Sequence, residues 1–268
     1  MRITSETTEK GVTERGFDLD VDGERVPGIV WTPADADTPR PVILIGHGGT
    51  QHKRVPNVLG LARRFVRHLG YAAVAIDAPG HGERITDPEA AETQRRNLEQ
   101  RIASGGREGR SPLDMSPDQA KAWVERTTKG VQEWKALVDD LVSSAGGAGE
   151  IADGRFGYWG VSMGTAIGLP FVAAEPRIGA AVLGLAGLNN RPGGDRFEQA
   201  ARSLTIPVLF LFQWDDELMS RQSGMDLFDA IGSPDKTMHV NPGGHVQTPL
   251  FERDAAEEFF VRHLGTAK

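Results

Sequence analysis

The sequence predicts an α/β fold with a mostly parallel central sheet of about eight strands, helices on both faces and a short partial lid. Short, continuously apolar runs such as PVILIG at 41–46 alternate with segments whose apolar residues recur at helical spacing. Strands that are buried on both faces read as continuous apolar runs, and helices between them cover the sheet. Glycine, at 33 of 268 residues, exceeds the usual ~7% and indicates many sharp turns.

The N-terminal part is predicted to join this sheet through an antiparallel hairpin. Residues 1–14 are polar, so we expect them to be frayed. FDLDV at 17–21 alternates apolar and acidic residues, as in a half-exposed strand, and 22–31 adds a turn and a second strand. The proline-rich stretch 32–41 is predicted to be a surface loop.

The following elements alternate in chain order. Strands are predicted at 41–46, 71–77, 156–160, 179–187, 206–213 and 236–240. Helices are predicted at 57–70, 117–145, 162–176, 224–232 and 248–265. A connector rather than a long helix is expected after 179–187. We interpret 1–268 as a single domain in which 84–115, polar and mostly helical, crosses the site entrance as a candidate partial lid.

Composition excludes several kinds of protein. Thirty basic and 37 acidic residues give a net charge of −7, which disfavours binding to nucleic acid or to an anionic membrane. The first residues, MRITSETTEKG, lack the apolar region of a signal peptide, and no apolar run is long enough to span a membrane. The absence of cysteine rules out disulfides, Cys-ligated zinc and a thiolate nucleophile. A cytoplasmic location is expected, and the oligomeric state is left open.

A candidate nucleophile lies where a predicted strand turns into a predicted helix. The segment Gly160-Val161-Ser162-Met163-Gly164 matches the G-x-S-x-G pattern of a nucleophile elbow. Such a turn needs glycine at both ends because side chains there would clash with the strand and the helix. The N–H of Met163, directly after Ser162, is then a candidate oxyanion donor.

A serine nucleophile needs a histidine base, and three histidines follow Ser162 in the chain. His239 lies inside a predicted strand and His263 in the last turn of the final helix, where a cation is favourable. His245 lies in the glycine-rich loop NPGGHVQTP after the last strand, at the edge where ligands bind in such sheets. His245 is therefore the predicted base.

The orienting acid should follow the strand at 206–213. Asp215, Asp216 and Glu217 all compete for this role. We prefer Asp216. Asp215 is the runner-up, and it would cap the following turn if Asp216 is the acid.

Taken together, these motifs resemble the α/β-hydrolase superfamily, nearest to its dienelactone-hydrolase-like and small-esterase branches. The matching segments, spread over most of the chain in the expected order, are HGG at 47–49, DAPGHG at 77–82, GVSMG at 160–164, the acids at 215–216 and GGH at 243–245. In that family the acid commonly follows three residues after a small residue that ends its strand. Counting from Gln213, which stands in place of the usual glycine, this resemblance implies Asp216.

The nucleophile of this chain differs from those of two groups of relatives. Dienelactone hydrolases use a Cys nucleophile and haloalkane dehalogenases an Asp, whereas this chain has Ser162. By resemblance to H-G-X loops, the N–H of Gly49 would be the second oxyanion donor. The resemblance also implies that His47 and His81 brace their loops by hydrogen bonds rather than bind a metal.

Four residues near these motifs have weaker signals. Trp214 and Met219 flank the acids and either line the substrate pocket or pack in the core beside the strand end. Lys53 and Arg54 follow the oxyanion loop. They could attract an anionic substrate, but we expect them to be solvent-facing charges.

The predicted function is a serine hydrolase that cleaves carboxylic esters of small or medium acyl substrates through an acyl-enzyme. Thioesterase, lactonase, peptidase and C–C hydrolase activities share the same apparatus and stay open. A receptor-like protein that binds small molecules with little turnover is the alternative from another class. No cofactor and no metal are implied, and the expected partner is a small-molecule, ester-like substrate.

Overall fold

The computed structural model describes residues 1–105, 115–143, 151–188 and 192–267. Its strands are β1 (Arg2–Glu9), β2 (Val12–Val21), β3 (Glu24–Pro33), β4 (Arg40–Gly46), β5 (Ala72–Ile76), β6 (Ala152–Val161), β7 (Ile178–Gly184), β8 (Val208–Gln213) and β9 (Lys236–Asn241). Its helices are α1 (Pro56–Leu69), α2 (Pro88–Ala103), α3 (Pro117–Val142), α4 (Met163–Ala174), α5 (Gly194–Ser203), α6 (Arg221–Ala230) and α7 (Glu252–Leu264), and a short 3₁₀ turn covers Gly82–Arg84.

All nine strands of the described residues form one sheet, in the order β1-β2-β3-β5-β4-β6-β7-β8-β9. The six strands from β5 to β9 in that order run parallel, whereas β1, β2 and β3 are antiparallel to their neighbours. The carboxyl ends of parallel strands share one edge of the sheet. The loops after β4, β5, β6, β8 and β9, which carry the predicted site residues, therefore meet at that edge.

Side chains of the central strands alternate between two apolar layers, one on each face of the sheet. In β4, Leu44 belongs to the layer that contains Trp134 of α3. Its neighbour Ile43 belongs to the opposite layer, together with Phe65 of α1 and Phe260 of α7. All five side chains are buried. This two-sided burial explains the continuous apolar runs in the sequence, and it gives the strand ends a rigid support.

The mostly parallel α/β sheet is confirmed, and each of the eight predicted strands is present. The ninth strand, β1, lies in the stretch 1–14, so the prediction that these residues are frayed was wrong. Side chains of β1 are largely exposed, which removes the apolar pattern, but its backbone pairs with β2 from Arg2 opposite Asp18 to Glu9 opposite Val12. Backbone hydrogen bonds hold this strand without any need for apolar side chains.

Capping residues mark the ends of several helices. Gly70 closes α1 with a left-handed φ of 68°, a conformation that glycine adopts readily. Ser116 caps α3 in a reciprocal capping box with Gln119. The connector expected after β7 contains the ten-residue helix α5, which the sequence interpretation missed.

Two predicted segments are only partly covered. Residues 106–114 of the candidate lid and 144–145 of the helix predicted at 117–145 lie outside the described residues. Among the residues that are described, no helix is both long and apolar enough to cross a membrane.

Candidate active site

Ser162 lies at the tip of the turn between β6 and α4. Its φ of 59° and ψ of −117° are values that non-glycine residues rarely adopt. The Ser162 N–H donates to the carbonyl oxygen of Gly184 at 2.9 Å, which ties the turn to β7. A Cβ on Gly164 would lie 2.6 Å from the carbonyl oxygen of Gly46, and one on Gly160 would lie 3.0 Å from the carbonyl carbon of Gly164. Both glycines are therefore needed because backbone approaches them closely.

A hydrogen-bonded relay joins Ser162, His245 and Asp216. The Nε2 atom of His245 is 2.9 Å from Oγ of Ser162, and its Nδ1 atom is 2.7 Å from Oδ2 of Asp216. An ionised carboxylate can only accept, so Nδ1 carries the proton and Nε2 is left to accept from the serine hydroxyl. The side chain of Asp216 is fully buried and that of His245 is 6% exposed. The fold thus brings together the three residues selected from the sequence.

Asp216 makes contacts that Asp215 does not. Its second oxygen, Oδ1, accepts from the N–H groups of Leu218 at 2.8 Å and Met219 at 2.9 Å. The expectation that Asp215 caps this turn was wrong, because Asp216 does so itself. The side chain of Asp215 is 58% exposed; it pairs with Arg221 at 3.1 Å and accepts the N–H of Gly243 at 3.4 Å.

The third acid of this loop, Glu217, also contacts the histidine loop. Its Oε2 atom accepts the backbone N–H of His245 at 2.8 Å. A Cβ on Gly244 would lie 2.1 Å from Oε1 of Glu217, so this contact depends on the glycine before His245. Sequence reasoning named Glu217 only as a competitor for the acid role, since a contact with a distant backbone N–H has no sequence signature.

Gly49 and Met163, whose backbone N–H groups are the predicted oxyanion donors, lie close together. A Cβ on Gly49 would be 3.9 Å from the Cβ of Met163, so the loop after β4 faces the start of α4. Within the described residues, neither N–H has a hydrogen-bond acceptor from the protein. Unpaired N–H groups next to Ser162 are available to a ligand oxygen.

Comparison with solved structures gives the family. A cold-adapted esterase from an Arctic intertidal metagenomic library is 35% identical to this chain, with 98% of this chain and 100% of that one covered and a TM-score of 0.78. The chain belongs to the α/β-hydrolase esterases. It is an enzyme of the carboxylic ester hydrolase class, so the predicted family and the predicted hydrolysis of esters are confirmed.

More distant structures share the fold of this esterase. Acetyl xylan esterase 1 from Thermoanaerobacterium is 17% identical, with 97% of this chain and 87% of that one covered and a TM-score of 0.68. A dienelactone hydrolase from Anabaena variabilis is 16% identical, with 95% and 99% covered and a TM-score of 0.62. Neither the family models nor the curated proteins searched gave a match.

His47 and His81 brace the loops of the esterase, as the resemblance implied. The Nε2 atom of His47 accepts the N–H of Ala78 at 3.0 Å, while its Nδ1–H donates to the carbonyl oxygen of Gly48 at 2.8 Å. His81 donates from Nδ1 to the carbonyl oxygen of Pro79 at 3.0 Å. Burial lowers the pKa of His47 to about 4 and also lowers the pKa of His81. Both rings are therefore neutral at pH 7 and act as fixed hydrogen-bonding partners.

The expectation that Lys53 faces solvent was wrong. Its side chain is 4% exposed, and its Nζ lies 2.6 Å from both Oδ2 of Asp77 and Oε1 of Glu83. Two carboxylates from the loop after β5 offset the cost of burying the ammonium. The expectation does hold for Arg54, which is 46% exposed and pairs with Glu14.

A cavity of about 740 Å³ opens beside Ser162 and His245. Side chains from α2, including Leu98 and Ile102, form part of its wall. Met219 also lines the cavity, in line with one of its two predicted positions. Trp214 has neither predicted position: it is 41% exposed, and the guanidinium of Arg221 lies 4.4 Å from its ring centroid.

The other histidines after Ser162 have partners outside the cavity. Nδ1 of His239 lies 2.8 Å from Oε2 of Glu252, and the ring of His263 packs against that of Phe259 with centroids 4.7 Å apart. Across the residues that the structure describes, no group of three or more His, Asp or Glu side chains is arranged to hold a metal ion.

Proposed function

We propose that this esterase hydrolyses its substrate through a Ser162–His245–Asp216 triad and an acyl-enzyme. His245 Nε2 takes the proton of the Ser162 hydroxyl as Oγ attacks the ester carbonyl carbon. Asp216 holds the proton-bearing Nδ1 and stabilises the imidazolium that forms. The imidazolium then protonates the leaving alcohol, and a water activated by the same histidine hydrolyses the acyl-serine. Apart from the substrate and this water, every group in the scheme belongs to the chain.

The oxyanion of the tetrahedral intermediate is proposed to bind the N–H groups of Gly49 and Met163. Neither N–H has an acceptor among the described residues, which supports this assignment, since each can donate to a substrate oxygen without losing a hydrogen bond seen there. A donor of this kind contributes about 3 kcal/mol to transition-state stabilisation.

The observation that carries the proposal is the unbroken relay of hydrogen bonds, 2.9 and 2.7 Å long, beside the 740 Å³ cavity. A protein that only binds small molecules has no need of such a relay, so the receptor-like alternative is disfavoured. The size and partly apolar wall of the cavity favour esters with small or medium acyl groups. Nucleic acid and membranes are not proposed as partners, and a cytoplasmic location fits a chain without cysteine.

We further propose that 84–115 acts as a partial lid of the single domain. Helix α2, which makes up much of this segment, has no buried residue and yet contributes side chains to the cavity wall. A helix with so little packing against the sheet can open locally at small cost.

Ser162→Ala tests the mechanism with p-nitrophenyl acetate and butyrate as substrates. We expect the variant to lose at least about 10³-fold in kcat, because nucleophile and base act as a unit. Ser203→Ala, at an exposed serine whose hydroxyl donates to the Ala200 carbonyl at 2.8 Å, is the matched control and should behave as wild type. Wild-type turnover by Ser162→Ala would refute the mechanism. A panel of esters, thioesters and lactones separates the remaining activities.

A further inference from the structure

The charge of the catalytic cavity is opposite to the charge of the whole chain. The chain carries a net charge of −7. The described cavity wall nevertheless contains four arginines and a single acid, namely Arg95, Arg101, Arg126, Arg253 and Glu99. Glu92 and Glu99 neutralise Arg95 in exposed pairs on α2. In this acidic protein, the described part of the cavity wall therefore has more basic than acidic side chains.

Arg126 of α3 is the clearest member of this group. No hydrogen bond or ion pair holds its guanidinium in the part of the chain that the structure describes. The guanidinium lies beside the turn at Gly80. A Cβ added to Gly80 would be 3.9 Å from the Arg126 Nε. Its charge acts on the cavity, since Arg126 adds to the lowering of the His81 pKa that burial causes. An arginine that is half-buried at a cavity wall without an anion is poised to receive one.

Arg253 of α7 is a second cation without a carboxylate partner among the described residues. Its Nη2 donates to the neutral Oδ1 of Asn57 at 3.1 Å. An added Cβ on Gly60 would lie 3.1 Å from its Nη1, so the guanidinium is held against the start of α1. This contact orients the planar fork and leaves its charge uncompensated, which prepares it for a planar anion.

From these contacts we infer that the substrate is an ester that carries a carboxylate remote from the scissile bond, and that a cavity arginine, Arg126 or Arg253, binds this carboxylate. The inference rests on the proposed function, because it assigns a substrate class to the Ser162 site. A carboxylate matches the geometry of a guanidinium and can accept two parallel N–H bonds. In a low-dielectric cavity the same charges also raise the local concentration of an anionic substrate.

Two pairs of chromogenic or ultraviolet-active esters test the inference. In the first pair, mono-4-nitrophenyl adipate carries the carboxylate on the acyl side, and its ω-carboxamide is the neutral counterpart. In the second pair, 4-carboxyphenyl butyrate carries it on the alcohol side, and 4-carbamoylphenyl butyrate is neutral. The measurement is the ratio of kcat/KM for the carboxylate to kcat/KM for the carboxamide, in which a general loss of activity cancels.

In at least one pair, Arg126→Gln or Arg253→Gln is expected to lower this ratio by about tenfold or more, the usual effect of losing a charge-assisted hydrogen bond. The wild-type ratio should also fall as NaCl is added, because salt screens the attraction. Arg262→Gln is the matched control: it removes the same charge from α7 at an exposed position outside the cavity wall, and it should leave the ratio unchanged.

Ratios that are the same in wild type and in both cavity variants, for both pairs, would overturn the inference. If the neutral esters are still cleaved through Ser162 in that case, the proposed function stands and only the substrate class is wrong. If Ser162→Ala cleaves all four esters as fast as wild type does, the proposed function fails and the inference fails with it.

Discussion

Lys53 and Asp77 form a buried ion pair, with Nζ 2.6 Å from Oδ2 and side chains that are 4% and 0% exposed. The backbone N–H of Lys53 also donates to Oδ1 of Asp77, at 2.9 Å. The pair joins the loop after β4, which carries Gly49, to the loop after β5. The position of the proposed oxyanion donor therefore depends on a charge pair that is shielded from solvent.

Replacement of Lys53 by methionine should destabilise the enzyme strongly. The change leaves the Asp77 carboxylate buried without a cation, at a cost of about 3 kcal/mol or more in the free energy of unfolding. Urea unfolding at pH 7 measures this cost. Arg54→Met removes the same charge one residue later, from an exposed pair with Glu14, and should cost less than about 1 kcal/mol. Equal losses in the free energy of unfolding would show that the buried pair contributes no more to stability than the exposed pair does.

Asp216→Asn should separate the two candidate acids. An amide in place of the Asp216 carboxylate no longer fixes the proton on Nδ1 of His245, so we expect kcat to fall by about 10³- to 10⁴-fold. Steady-state assays with p-nitrophenyl butyrate are the measurement. Asp215→Asn, which alters an exposed pair with Arg221, is the control and should retain nearly full activity. The reverse order of the two effects would identify Asp215 as the triad acid.

Glu217 is predicted to be a positioning residue for the histidine loop. Glu217→Ala removes the acceptor of the His245 N–H and should lower kcat by about tenfold or more, since small displacements of a catalytic base are costly. KM should change far less, because Glu217 does not line the cavity. Glu217→Gln keeps an oxygen acceptor and should recover most of the lost kcat. A rise in KM alone, or no recovery by glutamine, would argue against this role.

The buried, neutral His47 should make the enzyme sensitive to mild acid. Its pKa is lowered from 6.5 to about 4 by burial, so between these values the unfolded chain binds a proton that the folded chain does not. Stability from this group is therefore complete above pH 6.5 and is lost as the pH falls towards 4. From pH 7 to pH 5 the loss amounts to about 2 kcal/mol.

His47→Asn tests this linkage by urea unfolding at both pH values. Between pH 7 and pH 5 the free energy of unfolding should fall by about 2 kcal/mol less in the variant than in wild type. This difference does not depend on the stability of the variant at pH 7. His68→Asn, at an exposed histidine on α1, is the control for the loss of a titratable ring. An unchanged pH dependence in His47→Asn would mean that His47 is not held neutral by the fold.

Features that depend on local pattern could be predicted from the sequence. Strands such as 41–46 are buried on both faces and therefore apolar throughout, and the G-x-S-x-G elbow at 160–164 is required by a single tight turn. The late glycine-rich loop also identified His245, because few histidines follow Ser162. The predicted sheet is confirmed, and the structure places His245 within hydrogen-bonding distance of both Ser162 and Asp216.

Features that depend on distant partners could not be predicted. Lys53 looked like a surface charge because nothing near it in sequence indicates that Asp77 and Glu83 fold against it. Strand β1 is exposed and held by backbone pairing, so it has no apolar periodicity. Arg126 and Arg253 lie on helices far apart in the chain, and only the folded structure shows that both border the cavity.

Covalent labelling tests the central claim, that Ser162 is the nucleophile, most directly. The enzyme is treated with a fluorophosphonate, and its peptides are mapped by mass spectrometry while the remaining esterase activity is measured. The account predicts one adduct per chain, on Ser162, with activity lost in proportion to labelling. Complete loss of activity with an adduct on another residue and an unmodified Ser162 would contradict it.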